Sequence, residues 1–388
     1  MDYDVVVVGC GPAGSMAARA AASLGARTLM VDKKTVIGYP SHCTGGAGGL
    51  HVYAERLNLD IDPKAVAQEV KKFVIYSPSG KPTPELAAQC TMVNRELFDK
   101  YLVREAIKAG ADLMINTRVF DLIIEDKVVK GIIARKEGEI ARIGAKIVIG
   151  ADKGSIVARS AGLGDVLEPA FFYGFEFCGV EGHDPEVFYT YMGNSFAPMG
   201  HAVHGPRGKD IAYLGTGAPP RFFQDGRSLR SMFNELMKHP VVNKFFKNAK
   251  PVALQSGLGF TGGPLEKTVS AGVILAGDAA GQLWAAQGGG ITTSMVCGNF
   301  AGEVAAKAAF EGDVSEKRLQ EYEDKWRNTI GKSLFNHMKA KRLLDKIITS
   351  DTLIEKAVQD IGLEMVGIYV YATEQYCKPV EEWLKDKV

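Results

Sequence analysis

Gly9-Cys10-Gly11-Pro12-Ala13-Gly14 stands between the run Val5-Val6-Val7-Val8 and an alanine-rich segment, and no other stretch constrains the fold of this chain as tightly. The run from Asp4 to Val8 reads as a strand buried on both faces, and Pro12 to Leu24 as a helix whose small residues permit close packing. In such a strand–turn–helix unit Gly9 permits the tight turn, Gly11 lets the backbone approach a pyrophosphate, and Gly14 lets helix and strand touch. The free N–H groups at the helix start and its positive dipole end then attract phosphate charge. A second strand, Arg27 to Val31, ends in Asp32, where a carboxylate accepts hydrogen bonds from ribose hydroxyls. The chain therefore opens with a β–α–β unit suited to a dinucleotide.

At 388 residues there is room for two domains or for one large domain with an insertion. A composition of 46% hydrophobic and 23% charged residues is ordinary for a globular enzyme, and a formal charge of +1 gives no reason to expect nucleic acid as a partner. The first residues lead straight into a core strand, so no signal peptide is expected, and no apolar run is long enough to predict a membrane span. The expected compartment is the cytoplasm, with peripheral contact at the inner membrane surface compatible with it. Cys10, Cys43, Cys90, Cys178, Cys297 and Cys377 lack the spacings of zinc or iron–sulfur ligands, so no metal site is expected.

Further along, the glycine-dense loop Tyr39 to Gly49 carries Ser41-His42-Cys43-Thr44-Gly45-Gly46, a composition that can run flat against a ligand. Asn94 is suited to cap a helix from Arg95 to Ala109, with Arg95 in the first turn placed to meet a phosphate. Leu113 to Ile124 and Val128 to Ala134 read as a strand and its hairpin partner. Ala145 to Ile149 is another apolar strand, closed by Gly150-Ala151-Asp152-Lys153-Gly154-Ser155. Between roughly 165 and 265 aromatic and polar residues alternate, as antiparallel strands with one buried face require. Then Gly272 to Ala276 returns to the buried-strand pattern, and Gly288-Gly289-Gly290-Ile291 opens a helix through Phe310. Three glycines at a helix start expose N–H groups toward negative charge. From Ser315 onward the pattern is amphipathic and helical.

The N-terminal glycine motif, Arg95-Glu96-Leu97-Phe98-Asp99, Gly150-Ala151-Asp152 and Gly277-Asp278-Ala279-Ala280-Gly281 together resemble FAD-dependent oxidoreductases related to the aromatic hydroxylases. The Cys-x-Gly-Gly loop at Cys43 to Gly46, the run Gly288 to Ile291 and the long helical C-terminus resemble the geranylgeranyl reductase family within that group. The resemblance implies an α/β fold: a Rossmann-like FAD-binding domain (1–160 and 266–312), an inserted antiparallel-sheet substrate domain (161–265) and a helical C-terminal region (313–388). It also implies that Gly9, Gly11, Ala13 and Gly14 face the pyrophosphate and Asp32 the adenosine ribose. Cys43, Thr44 and Gly46 would border the flavin, Arg95 the phosphates and the Val119 backbone the adenine. Asp278 would hold the ribityl chain or pyrophosphate, with Gly289, Gly290 and Ile291 under the isoalloxazine. Lys33, Asp152 and Gly277 complete the implied cofactor contacts.

The implied activity is saturation of carbon–carbon double bonds in an isoprenoid chain on a lipid, with hydride from reduced flavin and electrons from ferredoxin or NAD(P)H. Two departures bear on the substrate. Where the archaeal lipid-reducing members of the family line the prenyl tunnel with an aromatic-x-Trp-x-Phe-Pro pattern, this chain has His201-Ala202-Val203-His204-Gly205-Pro206, and Trp284-Ala285-Ala286 stands where a proline is common. Cys43, His201 and His204 are the candidate proton donors, with contact to a polar head group the alternative role for the two histidines. Two rivals stay open, an FAD-dependent monooxygenase of an aromatic or apolar substrate and a non-catalytic prenyl-binding protein. A quinone-reducing dehydrogenase would carry a C-terminal cysteine cluster, and only Cys377 stands there.

Overall fold

The structure, a computed structural model, describes residues 1–388 apart from Ser155, Leu167, Gln224, Asp225, Arg227, Asp386 and Val388, and the side chains apart also from Met199, Arg221 and Phe222. Ser155, last residue of the glycine turn after Ile149, thus lies outside the described residues. Two eight-stranded sheets form the frame. The first holds β1 (Tyr3–Val8), β2 (Thr28–Val31), β6 (Asp112–Met114), β7 (Thr117–Glu125), β8 (Val128–Lys136), β9 (Glu139–Gly150), β15 (Val269–Ser270) and β16 (Val273–Leu275). Its main path runs β15-β16-β9-β1-β2-β6. β1 pairs in parallel with β2 on one side (Val5 opposite Thr28) and with β9 on the other (Val5 opposite Ile147). Val5, Val6 and Val7 are fully buried, as an unbroken β-branched run in the centre of a parallel sheet must be.

β9 serves two partners: its first half closes an antiparallel meander with β8, and its second half enters the parallel core. The single strand expected over Leu113 to Ile124 is in fact two. β6 lies parallel to β2, the chain turns at Asn116 with φ +52°, and β7 begins the hairpin with β8. Asparagine tolerates that left-handed conformation, which ends the first strand.

The second sheet has the order β14-β10-β13-β12-β11-β4-β5-β3. Five of its strands fall in the expected span: β10 (Pro169–Cys178), β11 (Val187–Gly193), β12 (Ala197–Pro206), β13 (Ile211–Ala218) and β14 (Lys250–Phe260). The other three, β3 (Gly46–Gly48), β4 (Val66–Tyr76) and β5 (Leu86–Val93), come from the N-terminal segment, joined through parallel pairing of β4 with β11. The layer expected over 161–265 is therefore wider than that stretch of sequence. Pairing, not contiguity along the chain, sets the limits of a sheet.

Of the helices, α1 (Pro12–Ser23), α2 (Leu50–Arg56), α3 (Arg95–Lys108) and α4 (Ile156–Ser160) come before β10 along the chain, and α5 (Leu229–Lys238) with α6 (Pro240–Phe246) packs on the second sheet. α7 (Ile291–Glu311), α8 (Glu316–Trp326), α9 (Lys332–Ile347), α10 (Asp351–Val370) and α11 (Glu374–Lys385) follow, with a π-helical turn over Arg327–Gly331 between α8 and α9. α1 and α7 cross backbone to backbone. A Cβ on Gly298 would lie 2.0 Å from the Ala13 carbonyl oxygen, and one on Gly302 would lie 2.0 Å from that of Ala17. That crossing brings the N-termini of both helices to the carboxyl ends of the parallel strands, where open α/β sheets bind ligands.

Candidate active site

A groove of about 1700 Å³ runs from the first glycine turn, between the two sheets, to the helices α9 and α10. Typical small-molecule sites span roughly 300–1,000 Å³, so this one has room for an extended cofactor and for an apolar chain beyond it.

At the phosphate end the three glycines divide their work. Gly9 has φ +98°, and a Cβ there would lie 2.7 Å from the Ala151 carbonyl oxygen. A Cβ on Gly14 would lie 1.8 Å from the Gly9 carbonyl oxygen, so Gly14 packs the helix onto the turn. Only Gly11 has nothing within 4 Å of the position a Cβ would take, and that space opens into the groove. The Asp32 carboxylate accepts from the N–H of Cys10 and from the N–H of Lys34, each at 2.8 Å, which fixes the turn to the end of β2.

Asp152 caps α4 by accepting the Ile156 N–H at 2.7 Å through one oxygen, while its other oxygen is buried with no partner among the described residues. Burial pushes this carboxyl up to about 6. An orphaned acceptor on the wall of a groove is a place for a ligand's hydroxyl. Nearby, Lys153 Nζ stands 3.6 Å from Asp278, and α7 begins at Gly290 without a side-chain cap, leaving first-turn N–H groups free. Open space over Gly11, an unmet carboxylate and an uncapped helix end suit the pyrophosphate, the sugar-alcohol hydroxyls and the electron-rich ring edge of FAD.

Most expected contacts converge here. Gly9, Gly11, Ala13, Asp32, Lys33 and Arg95 line the groove with Val119, Asp152 and Asp278, as do Cys43, Thr44 and Gly46 of the loop and Gly289, Gly290 and Ile291 at the start of α7. Gly14 and Gly277 do not line it and are corrected to packing positions. At Gly277, φ is +68° and a Cβ would press on Ala13 Cβ at 2.7 Å and Ser294 Oγ at 2.9 Å, so its lack of a side chain seals the α1–α7 crossing. Arg95 is held by a bidentate pair with Asp99, at 2.9 and 2.8 Å, one turn along α3. Burial opposes its charge, and Asp99 with the Cys43 thiol outweighs that and keeps the guanidinium protonated.

The sequence reading passed over Arg207. It is 7% exposed, forms an ion pair with Glu176, and donates to the Thr44 carbonyl at 2.9 Å and the Gln255 side chain at 3.2 Å. It thereby ties the loop of Cys43 and Thr44 to the second sheet. A lone arginine directly after an apolar strand was the available signal.

Beyond the cradle the groove becomes apolar, walled by Phe73, Phe188, Met192, Leu344 and Ile348. On β12 side chains alternate between faces. His201 and Val203 point into the groove, whereas His204 points the other way, into a fully buried aromatic cluster. Its ring meets His183 at 2.9 Å and the Tyr191 hydroxyl at 3.3 Å, and His183 in turn meets the Lys209 carbonyl at 2.9 Å. One ordering satisfies every ring nitrogen: Tyr191 donates to His204, His204 to His183, and His183 to the carbonyl. A proton-donor role for His204 at the groove does not fit this position. At Gly205 a Cβ would meet Met92 Cε at 2.8 Å and Phe188 Cε2 at 3.2 Å, so these two side chains occupy the room a larger residue would need.

Across the groove α9 presents Ser333 and His337, the latter absent from the sequence reading although its spacing from Ser333 places both on one helix face. Trp284 donates to Ser333 Oγ at 3.0 Å and is wedged between Gly48 and Gly289, with the His337 ring 5.6 Å away. Burial pushes both His201 and His337 down to about 4, so both are neutral at pH 7 and neither carries an imidazolium proton there. Among the described residues no helix is long and apolar enough to cross a membrane, and no cluster of His, Cys, Asp or Glu is arranged to hold a metal ion.

Comparison with known proteins agrees with this geometry. Residues 4–166 match the sequence profile of the family described as FAD dependent oxidoreductase. Digeranylgeranylglycerophospholipid reductase 2 of Methanococcoides burtonii is 36% identical over 372 residues, covering 93% of this chain and 86% of that protein. The digeranylgeranylglycerophospholipid reductase of Methanocaldococcus jannaschii is 35% identical over 372 residues, covering 94% and 92%. The crystal structure of a geranylgeranyl bacteriochlorophyll reductase-like protein from Thermoplasma acidophilum superposes with a TM-score of 0.88 at 29% identity, covering 100% of this chain and 99% of that one. The flavin-dependent brominase Bmp2, with a TM-score of 0.75 at 18% identity over 99% and 98% of the two chains, shares the fold alone. The chain belongs to the geranylgeranyl reductase family of FAD-dependent oxidoreductases. It is an FAD-dependent reductase of that type.

Proposed function

We propose that this reductase saturates carbon–carbon double bonds of a geranylgeranyl-type isoprenoid chain carried by a lipid. The observation that carries the reading is the continuity of one groove, from a cradle suited to FAD into a channel walled by Phe73, Phe188, Met192, Leu344 and Ile348. FAD, when bound and reduced, supplies the hydride for one alkene carbon. The apolar walls exclude water and hold the extended chain in place, which lowers the entropy cost of alignment. The N-terminus of α7 favours negative charge at the glycine loop. The proton for the second carbon comes from a neutral donor or from water, since His201 and His337 are unprotonated at pH 7. Cys43, which lines the groove at the cradle, is the candidate among the thiols to give it. Electrons come from an external donor, ferredoxin or a nicotinamide nucleotide, and the lipid is met by peripheral contact at a membrane surface.

The test is anaerobic incubation of the dithionite-reduced flavoprotein with geranylgeranylated glycerolipids, followed by mass spectrometry. A gain of two hydrogens per saturated double bond is expected. Unchanged lipids, or oxygenated products formed in air with no saturation, would overturn the proposal and favour the monooxygenase.

A further inference from the structure

We propose that the substrate carries an uncharged, hydrogen-bond-accepting oxygen part way along the channel, and that His201 and His337 recognise it from opposite walls. This rests on the reductase reading above. His337 is 2% exposed, lines the groove, and has its Nδ1 atom buried without a partner among the described residues. A buried donor or acceptor left unmet is destabilising, and a ligand that meets it recovers that loss. Facing the same groove from β12 is His201, its ring edge-on to buried Tyr369 at 5.4 Å. Burial alone sets the protonation of both rings, with no neighbouring charge or hydrogen bond contributing. Two imidazoles thus face a channel walled largely by phenylalanine, methionine, leucine and isoleucine, with Ser333, Trp284 and Tyr369 beside them.

A plain hydrocarbon chain would leave the His337 Nδ1 unmet. Neither would an anion suit them, because both rings are neutral and Lys341, the α9 cation that lines the groove, is already committed. Lys341 bonds Glu168 at 2.7 Å and Asp345 at 2.6 Å. Neutral imidazole N–H groups match a neutral oxygen, either the ether of a glycerolipid or the carbonyl of a prenylated quinone.

Binding is measured on the oxidised flavoprotein with saturated ligands that cannot turn over, read as perturbation of the flavin absorbance. The probes are phytanyl glyceryl ether, its analogue with a methylene in place of the ether oxygen, and a naphthoquinone bearing a phytanyl chain. We expect one oxygen-bearing probe to bind about 5- to 150-fold more tightly than the oxygen-free analogue, the equilibrium equivalent of one hydrogen bond. The preferred arm identifies the ether or the carbonyl. His337→Leu and His201→Phe should each shrink that preference by at least fivefold, and His337→Asn, which keeps a donor, should restore part of it. Equal binding of all three probes to the wild type, or a preference unchanged in both variants, would overturn the inference. Absence of alkene reduction with the preference intact would instead count against the reductase reading alone.

Discussion

Gly11 and Gly14 sit three residues apart in one motif, and replacing each should fail in a different way. In Gly11→Val the new side chain enters open groove, with φ at −75° and no protein atom within 4 Å of the Cβ position. The apoprotein should therefore keep its stability to within about 1 kcal/mol, since loss of glycine's unfolded-state freedom offsets small losses. The cofactor should not survive the change. A valine over the turn holds the pyrophosphate beyond hydrogen-bond reach of the helix-start N–H groups, and two charge-assisted bonds at about 1.5–3 kcal/mol each amount to about 3–6 kcal/mol, or roughly 10²- to 10⁴-fold in FAD affinity. In Gly14→Ala the methyl would stand 1.8 Å from the Gly9 carbonyl, so the turn and α1 must separate. Overpacking against backbone costs about 1–3 kcal/mol or more, and the apoprotein should melt several degrees lower. The assay pairs flavin content, from absorbance of the purified protein, with thermal melts after flavin removal. A Gly11→Val protein that purifies with wild-type FAD stoichiometry, or whose apo form melts as low as Gly14→Ala, would refute the division of labour between these glycines.

Arg207→Met should destabilise the protein by about 3–5 kcal/mol in denaturant titrations, because the Glu176 charge is left without its partner, and should hasten flavin release by freeing Thr44; an unchanged midpoint would contradict the role given to it. His337 has its pKa depressed from 6.5 to about 4, so the unfolded chain takes up its proton first as pH falls, and the stability this ring contributes is complete above about 6.5 and lost progressively toward 4. Its share at pH 4.5 is about 2–3 kcal/mol, with His183 and His204 shifted in the same direction, so His337→Leu should lose less stability than wild type between pH 7.5 and 4.5; equal losses would argue against this. Cys43→Ser should retain FAD and alter turnover, and a reduction rate equal to wild type would deny the thiol a chemical role.

What the chain revealed of itself before folding was mostly local. The turn between β1 and α1, the Asn94 cap, which accepts the N–H groups of Glu96 and Leu97, and the glycine run before α7 all depend on neighbours within a few residues. Long-range partners were harder to see. β4 and β5 join the second sheet because Val187 to Tyr191 pairs in parallel with Lys72 to Tyr76, and nothing in either segment names the other. His201 and His204 could have been separated from sequence, since an offset of three residues on a strand always places side chains on opposite faces. The third glycine of the first motif was legible as a packing position, whereas Gly277 serves packing within a motif whose spacing does not distinguish a glycine that admits a ligand from one that admits a helix. His337 needed the fold: only when α9 closes the channel does an imidazole on a helix face acquire a reason to be there.

The backbone contact between α1 and α7 has a consequence for biogenesis. Ala13 leaves the ribosome long before Gly298, so the nascent β1–α1 unit must wait for most of the polypeptide to be translated before its binding surface is complete. Flavin loading is thus a late event in the life of each molecule.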